Sequence, residues 1–130
     1  MLRSKLYRDG KDYSTLTENV LRKTAWSSGG LYLNFSSNGY KVTAARIKGT
    51  TSEKKNQIID LLKKHPEGIV LYDWEKPHAI FCMEYSNDTF YVADPAPGMT
   101  SGKIKLSSAS TTGKGQDGKI GQIDQVWYIK

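Results

Sequence analysis

Two short apolar runs in the second half of the sequence are bounded by polar residues able to work as a pair. His78 opens His78-Ala-Ile-Phe-Cys-Met-Glu-Tyr85, and Asp94 closes Thr89-Phe-Tyr-Val-Ala-Asp94. An imidazole titrates near neutral pH and can carry a proton to or from a reacting group, while a neighbouring carboxylate can orient the ring and stabilise its protonated form. Pro77 restricts the backbone just before His78, and Pro95 biases Asp94 toward an extended conformation, so both polar groups sit at strand ends. In an antiparallel hairpin the start of one strand lies beside the end of the next, which brings His78 and Asp94 to one rim of a sheet. Alone, His78 reads as a strand-edge histidine held by a backbone carbonyl. The proline-flanked Asp94 is what makes it a candidate for general-base chemistry.

Whether the two meet depends on register. Pairing Tyr85 with Thr89 across a three-residue loop sets Asp94 opposite Ile80 and on the face of His78, within the ~7–8 Å reach of a diagonal pair. A two-residue Asn87-Asp88 turn instead pairs Ser86 with Thr89 and, without a bulge, sends the two to opposite faces. The pair therefore predicts an odd loop or a compensating bulge. Cys82 shares a face with His78 but lies four residues along the same strand, roughly 13 Å at a rise of ~3.3 Å per residue. A thiolate–imidazolium pair needs hydrogen-bond reach, so Cys82 is not its nucleophile and reads as a small buried apolar residue.

The elements that must position this pair follow from patterning. Leu2 and Leu6 make one stripe of a short helix ending near Arg8-Asp9-Gly10, and Thr15-Leu-Thr-Glu18 has the form of a capping box for a second helix to about Thr24. Leu31 to Phe35 and Tyr40 to Arg46 read as a hairpin turning at Asn38-Gly39. Ser52 is the expected cap of a helix with Ile58, Ile59, Leu61 and Leu62 on its apolar face, Lys63-Lys64 at its C-terminal end, and Pro66 and Gly68 beyond it. Ile69 to Tyr72, His78 to Tyr85, Thr89 to Asp94, Lys103 to Leu106 and Gln125 to Ile129 read as strands. The Ser-, Thr- and Gly-rich stretch from Ser107 to Gly121 reads as one long surface loop. Early helices and late strands predict an α+β fold, with helices on one side of a mostly antiparallel sheet. Residues 1–130 fit a single domain.

Composition removes several classes of function. The longest apolar runs, such as Ala79 to Met83, fall far short of the ~20 residues a membrane-spanning helix needs, so no membrane span is expected. Arg3, Lys5 and Arg8 interrupt the only apolar stretch near the start, which leaves any export signal to a longer precursor and makes an extracellular or cell-surface location conditional on one. One cysteine and two histidines disfavour a disulfide framework and a zinc site, and no cofactor is implied. The net charge of +6 is uneven: residues 1–64 carry thirteen Lys or Arg against five Asp or Glu, and residues 65–130 carry six against eight. Without a recognised binding motif, that asymmetry reads as a solvated face, and nucleic acid is disfavoured as a partner.

Together His65-Pro-Glu-Gly-Ile-Val-Leu-Tyr72, Lys76-Pro-His-Ala-Ile80 and Asp88-Thr-Phe-Tyr-Val-Ala-Asp-Pro95 resemble the papain-like cysteine peptidases related to bacteriocin-processing enzymes, which cut leader peptides after a double glycine. The likeness extends through Thr17-Glu-Asn-Val-Leu-Arg-Lys-Thr-Ala-Trp26 and Val126-Trp-Tyr-Ile129, and is strongest to cysteine-peptidase-like domains of Gram-positive gut bacteria. It implies a papain-like fold, a peptide or protein substrate, His78 as general base and Asp94 as its orienting group. It also implies a cysteine at the start of a central helix and a nearby oxyanion-hole glutamine, and neither has a counterpart here. Met1-Leu-Arg3 is similar to the later part of that helix, which puts the nucleophile about two helical turns before Met1 and makes the domain N-terminally incomplete. The chain as given is then expected to be inactive. The alternative is a non-catalytic peptide- or cell-wall-binding module, with Trp26, Trp74 and Trp127 as candidate groove walls. A third reading is a basic interaction surface built on Lys54, Lys55, Lys63 and Lys64.

Overall fold

The computed structural model describes residues 1–130 except 15, 18–20, 22, 24, 28, 29, 100 and 101, and the backbone alone of 26, 27, 30 and 31. The helix expected from Thr15 to Thr24 falls largely outside the described residues, as does the side chain of Trp26.

Helix α1 spans Leu2–Arg8 and buries Leu2 and Leu6, the two residues whose spacing announced it. The hairpin that follows is offset from its expectation. Its strands are β3 (Asn34–Ser37) and β4 (Tyr40–Arg46), joined by Asn38 and Gly39 at φ of 53° and 82°. A two-residue turn with both angles positive pairs Ser37 with Tyr40, and the register counts back from there only to Asn34. Leu31, expected in that strand, instead pairs with Trp26 in a separate ribbon of β1 (Trp26–Ser27) and β2 (Gly30–Leu31).

Helix α2 spans Thr51–Lys64 and is capped by Thr50 in place of the expected Ser52. The Glu53 N–H donates to the Thr50 hydroxyl and the Thr50 N–H donates to the Glu53 carboxylate, each at 3.2 Å. Three residues beyond Ser52 stands Lys55, which offers no acceptor for the reciprocal bond, so the box closes only from Thr50. Gly68 is required where the chain leaves the helix. Its φ is +97°, and a Cβ there would stand 2.4 Å from the Phe81 ring.

Strands β5 (Ile69–Asp73), β6 (His78–Ser86), β7 (Thr89–Ala93), β8 (Ile104–Lys105) and β9 (Ile123–Ile129) complete an antiparallel seven-stranded sheet in the order β3-β4-β9-β5-β6-β7-β8. The fold is α+β. The expected surface loop over Ser107 to Gly121 is corrected: Leu106–Ser108 form a 3-10 turn and Gly115–Gly121 form helix α3. Only Ile120 supplies a large apolar anchor there, so no periodicity marks the helix, and tertiary contact with the core selects it.

Alternation along the strands makes two cores. Ile69, Leu71, Ile80, Cys82, Phe90, Val92 and Val126 pack beneath Ile58 of α2 and Ile120 of α3. On the opposite face Val42, Trp127 and Ile129 pack with Leu2, Leu6 and Leu16. Helices thus cover both faces of the sheet, where one covered face was expected. No helix among the described residues is long and apolar enough to cross a membrane.

Candidate functional site

The β6–β7 hairpin decides where His78 and Asp94 point. Ser86 pairs with Thr89 across Asn87 and Asp88, which adopt φ of 51° and 57°. The turn is therefore the two-residue one, not the three-residue loop that pairs Tyr85 with Thr89. A bulge restores the face. Glu84 pairs with Tyr91 and Cys82 with Val92, leaving Met83 as the extra residue on β6. Phe81 then pairs with Ala93, and one step further Asp94 comes opposite Ile80 on the face of His78.

The side chains meet. Asp94 Oδ1 lies 2.7 Å from His78 Nε2 and also accepts the Ala96 N–H at 3.0 Å. Its Oδ2 accepts both the N–H and the hydroxyl of Ser110, each at 2.7 Å. The Asp94 carboxylate is fully buried and the imidazole keeps 17% of its surface exposed. Burial opposes the charge on Asp94, but donation by Ser110, Ala96 and His78 outweighs it and holds the carboxyl well below the usual carboxylate range. An ionised carboxylate only accepts, so Nε2 carries the proton and, in the neutral ring, Nδ1 carries the lone pair. No hydrogen bond engages Nδ1 among the described residues.

Asp73, paired across the sheet with His78, repeats the arrangement. Its Oδ2 accepts the N–H of Thr112 at 2.7 Å and the Thr112 hydroxyl at 2.5 Å. Burial again works against the charge and hydrogen bonds from Thr112, Lys76 and Glu75 prevail, so this carboxyl too is held low. The strap that bonds both carboxylates, residues 109–112, is also held by the Lys119 ammonium, which donates to the carbonyls of Ala109 at 2.8 Å and Thr111 at 2.5 Å. Asp73, Ser110 and Thr112 escaped the sequence reading. The only signal of Ser110 and Thr112 was a Ser-x-Thr alternation inside a stretch whose composition suggested a loop.

Cys82 is fully buried, and burial pushes its thiol up to about 12. It is a core residue, as its position on the strand required. His65 is likewise packed, its ring 4.8 Å from that of Tyr128 and its Nδ1 3.5 Å from Glu67. The basic surface expected on α2 is partly consumed: Lys54 donates to the Gly121 carbonyl at 2.9 Å and lies 3.6 Å from Asp124, while Lys55 lies 3.7 Å from Asp117.

A cavity of about 700 Å³ opens on the α1 face of the sheet. Leu2, Leu16, Val70, Phe81 and Trp127 line it, with Asp94 and Pro95. Of the candidate groove walls, Trp127 is buried along this cavity with its indole N–H donating to the Tyr32 carbonyl at 3.0 Å, and Trp74 stands exposed on the loop before His78. Among the described residues no group of three or more His, Cys, Asp or Glu is arranged to hold a metal ion. The chain matches no protein-family model, no curated protein and no solved structure.

Proposed function

We propose that this chain is a papain-like cysteine-peptidase-like domain, with His78 as general base and Asp94 as the group that orients it, acting on a peptide or protein substrate. The observation that carries this reading is the 2.7 Å contact between His78 Nε2 and a buried, ionised Asp94, which turns the unbonded Nδ1 toward a proton-accepting role. A base in this state would take the proton of a thiol as it attacks a peptide carbonyl and return it to the departing amine. Cys82 does not supply that thiol, being sealed in the core with its ionisation suppressed. Peptide-bond hydrolysis therefore needs a thiol from outside these 130 residues.

Two measurements test the proposal. The 130-residue chain should neither cleave a peptide library nor label with iodoacetamide in its folded state. Turnover by the chain alone overturns it. Nitrogen NMR of the imidazole should find the proton on Nε2, with the signal changed in D94N.

The second reading, a peptide-binding module without turnover, draws on the apolar cavity that Asp94 and Pro95 help to line. Saturable peptide binding by the complete protein, without cleavage at any pH, would favour it.

A further inference from the structure

Trp74 is the large residue at this rim for which the proposed chemistry has no use. It begins the four-residue loop from Trp74 to Pro77 that joins Asp73 to its pairing partner His78. The loop is pinned, because Asp73 Oδ1 accepts the N–H groups of Glu75 at 2.9 Å and Lys76 at 3.4 Å while Thr112 holds the other oxygen. Packing does not explain the side chain, which remains 42% exposed. Its one ring partner among the described residues is Arg46, whose guanidinium carbon lies 4.1 Å from the ring centroid.

Strand order fixes where this pair stands. Arg46 ends β4 opposite Gln125 of β9, and Gln125 in turn pairs with Tyr72 of β5. The Arg46 and Trp74 side chains therefore meet across the start of β9, and in strand order the rim runs Arg46, Trp74, His78, Asp94. In order along the rim, Asp94 follows the imidazole on one side and the loop bearing Trp74 precedes it on the other. A guanidinium stacked by its face keeps in-plane N–H donors for a planar two-oxygen acceptor, and the indole excludes water from one side of it. Among the described residues Arg46 forms no ion pair; even Glu75, beside Trp74 in sequence, does not reach it. The excess of basic residues over residues 1–64 adds a long-range attraction of the same sign.

We infer that Arg46 and Trp74 form a specificity site for a carboxylate-bearing side chain of a peptide lying along the rim at His78. This rests on the peptidase-like reading for the position of the peptide, but its own claim concerns binding.

The test is calorimetric titration of the whole chain with pairs of capped pentapeptides that differ only by Glu or Gln at one position, scanned through all five. At one position the Glu peptide should bind roughly tenfold tighter, on the scale of one charge-assisted hydrogen bond. R46Q should erase that preference while leaving the Gln peptide's affinity unchanged, R46K should keep only part of it, and W74A should weaken both peptides. H78A should leave it intact. Equal affinities at every position, no measurable binding of either peptide, or a preference that survives in R46Q overturns the inference. The two claims fail separately: loss of the acidic preference with the Nε2–H tautomer intact sinks this one alone, whereas a preference without that tautomer leaves an acidic-peptide site and removes the peptidase-like reading.

Discussion

At the scale of single residues, Asp94 joins stability to the candidate chemistry. The same carboxylate that bonds His78 also accepts two N–H groups and a hydroxyl, so its charge is worth more folded than unfolded. Its folded pKa is depressed, and the sign follows: the stabilisation is complete above the unfolded carboxylate value near ~4 and is lost as pH falls below it. Asp73 adds to the same window through Thr112. Chemical denaturation should show stability falling steeply in acidic buffer, below about pH 4, as these carboxylates take up protons. In D94N that acid slope should be shallower, with a loss of about 1–3 kcal/mol at neutral pH from buried donors facing a poorer acceptor. An acid slope identical in wild type and D94N would contradict the assignment.

At the scale of elements, turns and caps set the geometry more than apolar content does. The type of turn at Asn87-Asp88 alone would have sent His78 and Asp94 to opposite faces, and the bulge at Met83 reverses that outcome. Deleting Met83 should close the bulge, and the imidazole tautomer signal attributed to Asp94 should disappear. The cap of α2 offers an equally local check. T50A should cost about 1 kcal/mol in equilibrium unfolding, and S52A should stay within about 0.5 kcal/mol of wild type. A larger loss in S52A than in T50A would mean the helix starts two residues later than described.

For the molecule as a whole, the sheet has one sealed face and one partly open one. Under α2 and α3 the core is continuous from Ile58 to Val126, and Ile58 is fully buried within it. I58A should therefore cost about 2–5 kcal/mol, read from the shift in denaturation midpoint. On the other face, α1 packs Leu2 and Leu6 against Val42, Trp127 and Ile129 and leaves the 700 Å³ cavity beside Val70 and Phe81. Asp94 and Pro95 line that cavity, whereas His78 shares the face of Ile80 and Cys82 beneath α2 and α3, where Ser110 and Thr112 hold Asp94 and Asp73.

Much of this arrangement was written in local sequence. Leu2 and Leu6 gave α1, Asn38-Gly39 gave a hairpin, and the apolar runs gave the late strands, because each signal acts within a few residues of itself. The placement of His78 and Asp94 at one rim also followed from strand order and the prolines beside them. Tertiary structure alone decided the rest. The turn and the bulge at Met83 are individually permitted by the sequence in more than one combination, and only packing of Ile80, Cys82 and Val92 into one core selects the pair that works. Helix α3 has three glycines and one buried isoleucine, and it exists because Ile120 packs into a core built from residues far away in the chain. Asp73, Ser110 and Thr112 came into place for the same reason: hydrogen bonds between residues 16 and 39 positions apart leave no period in a sequence.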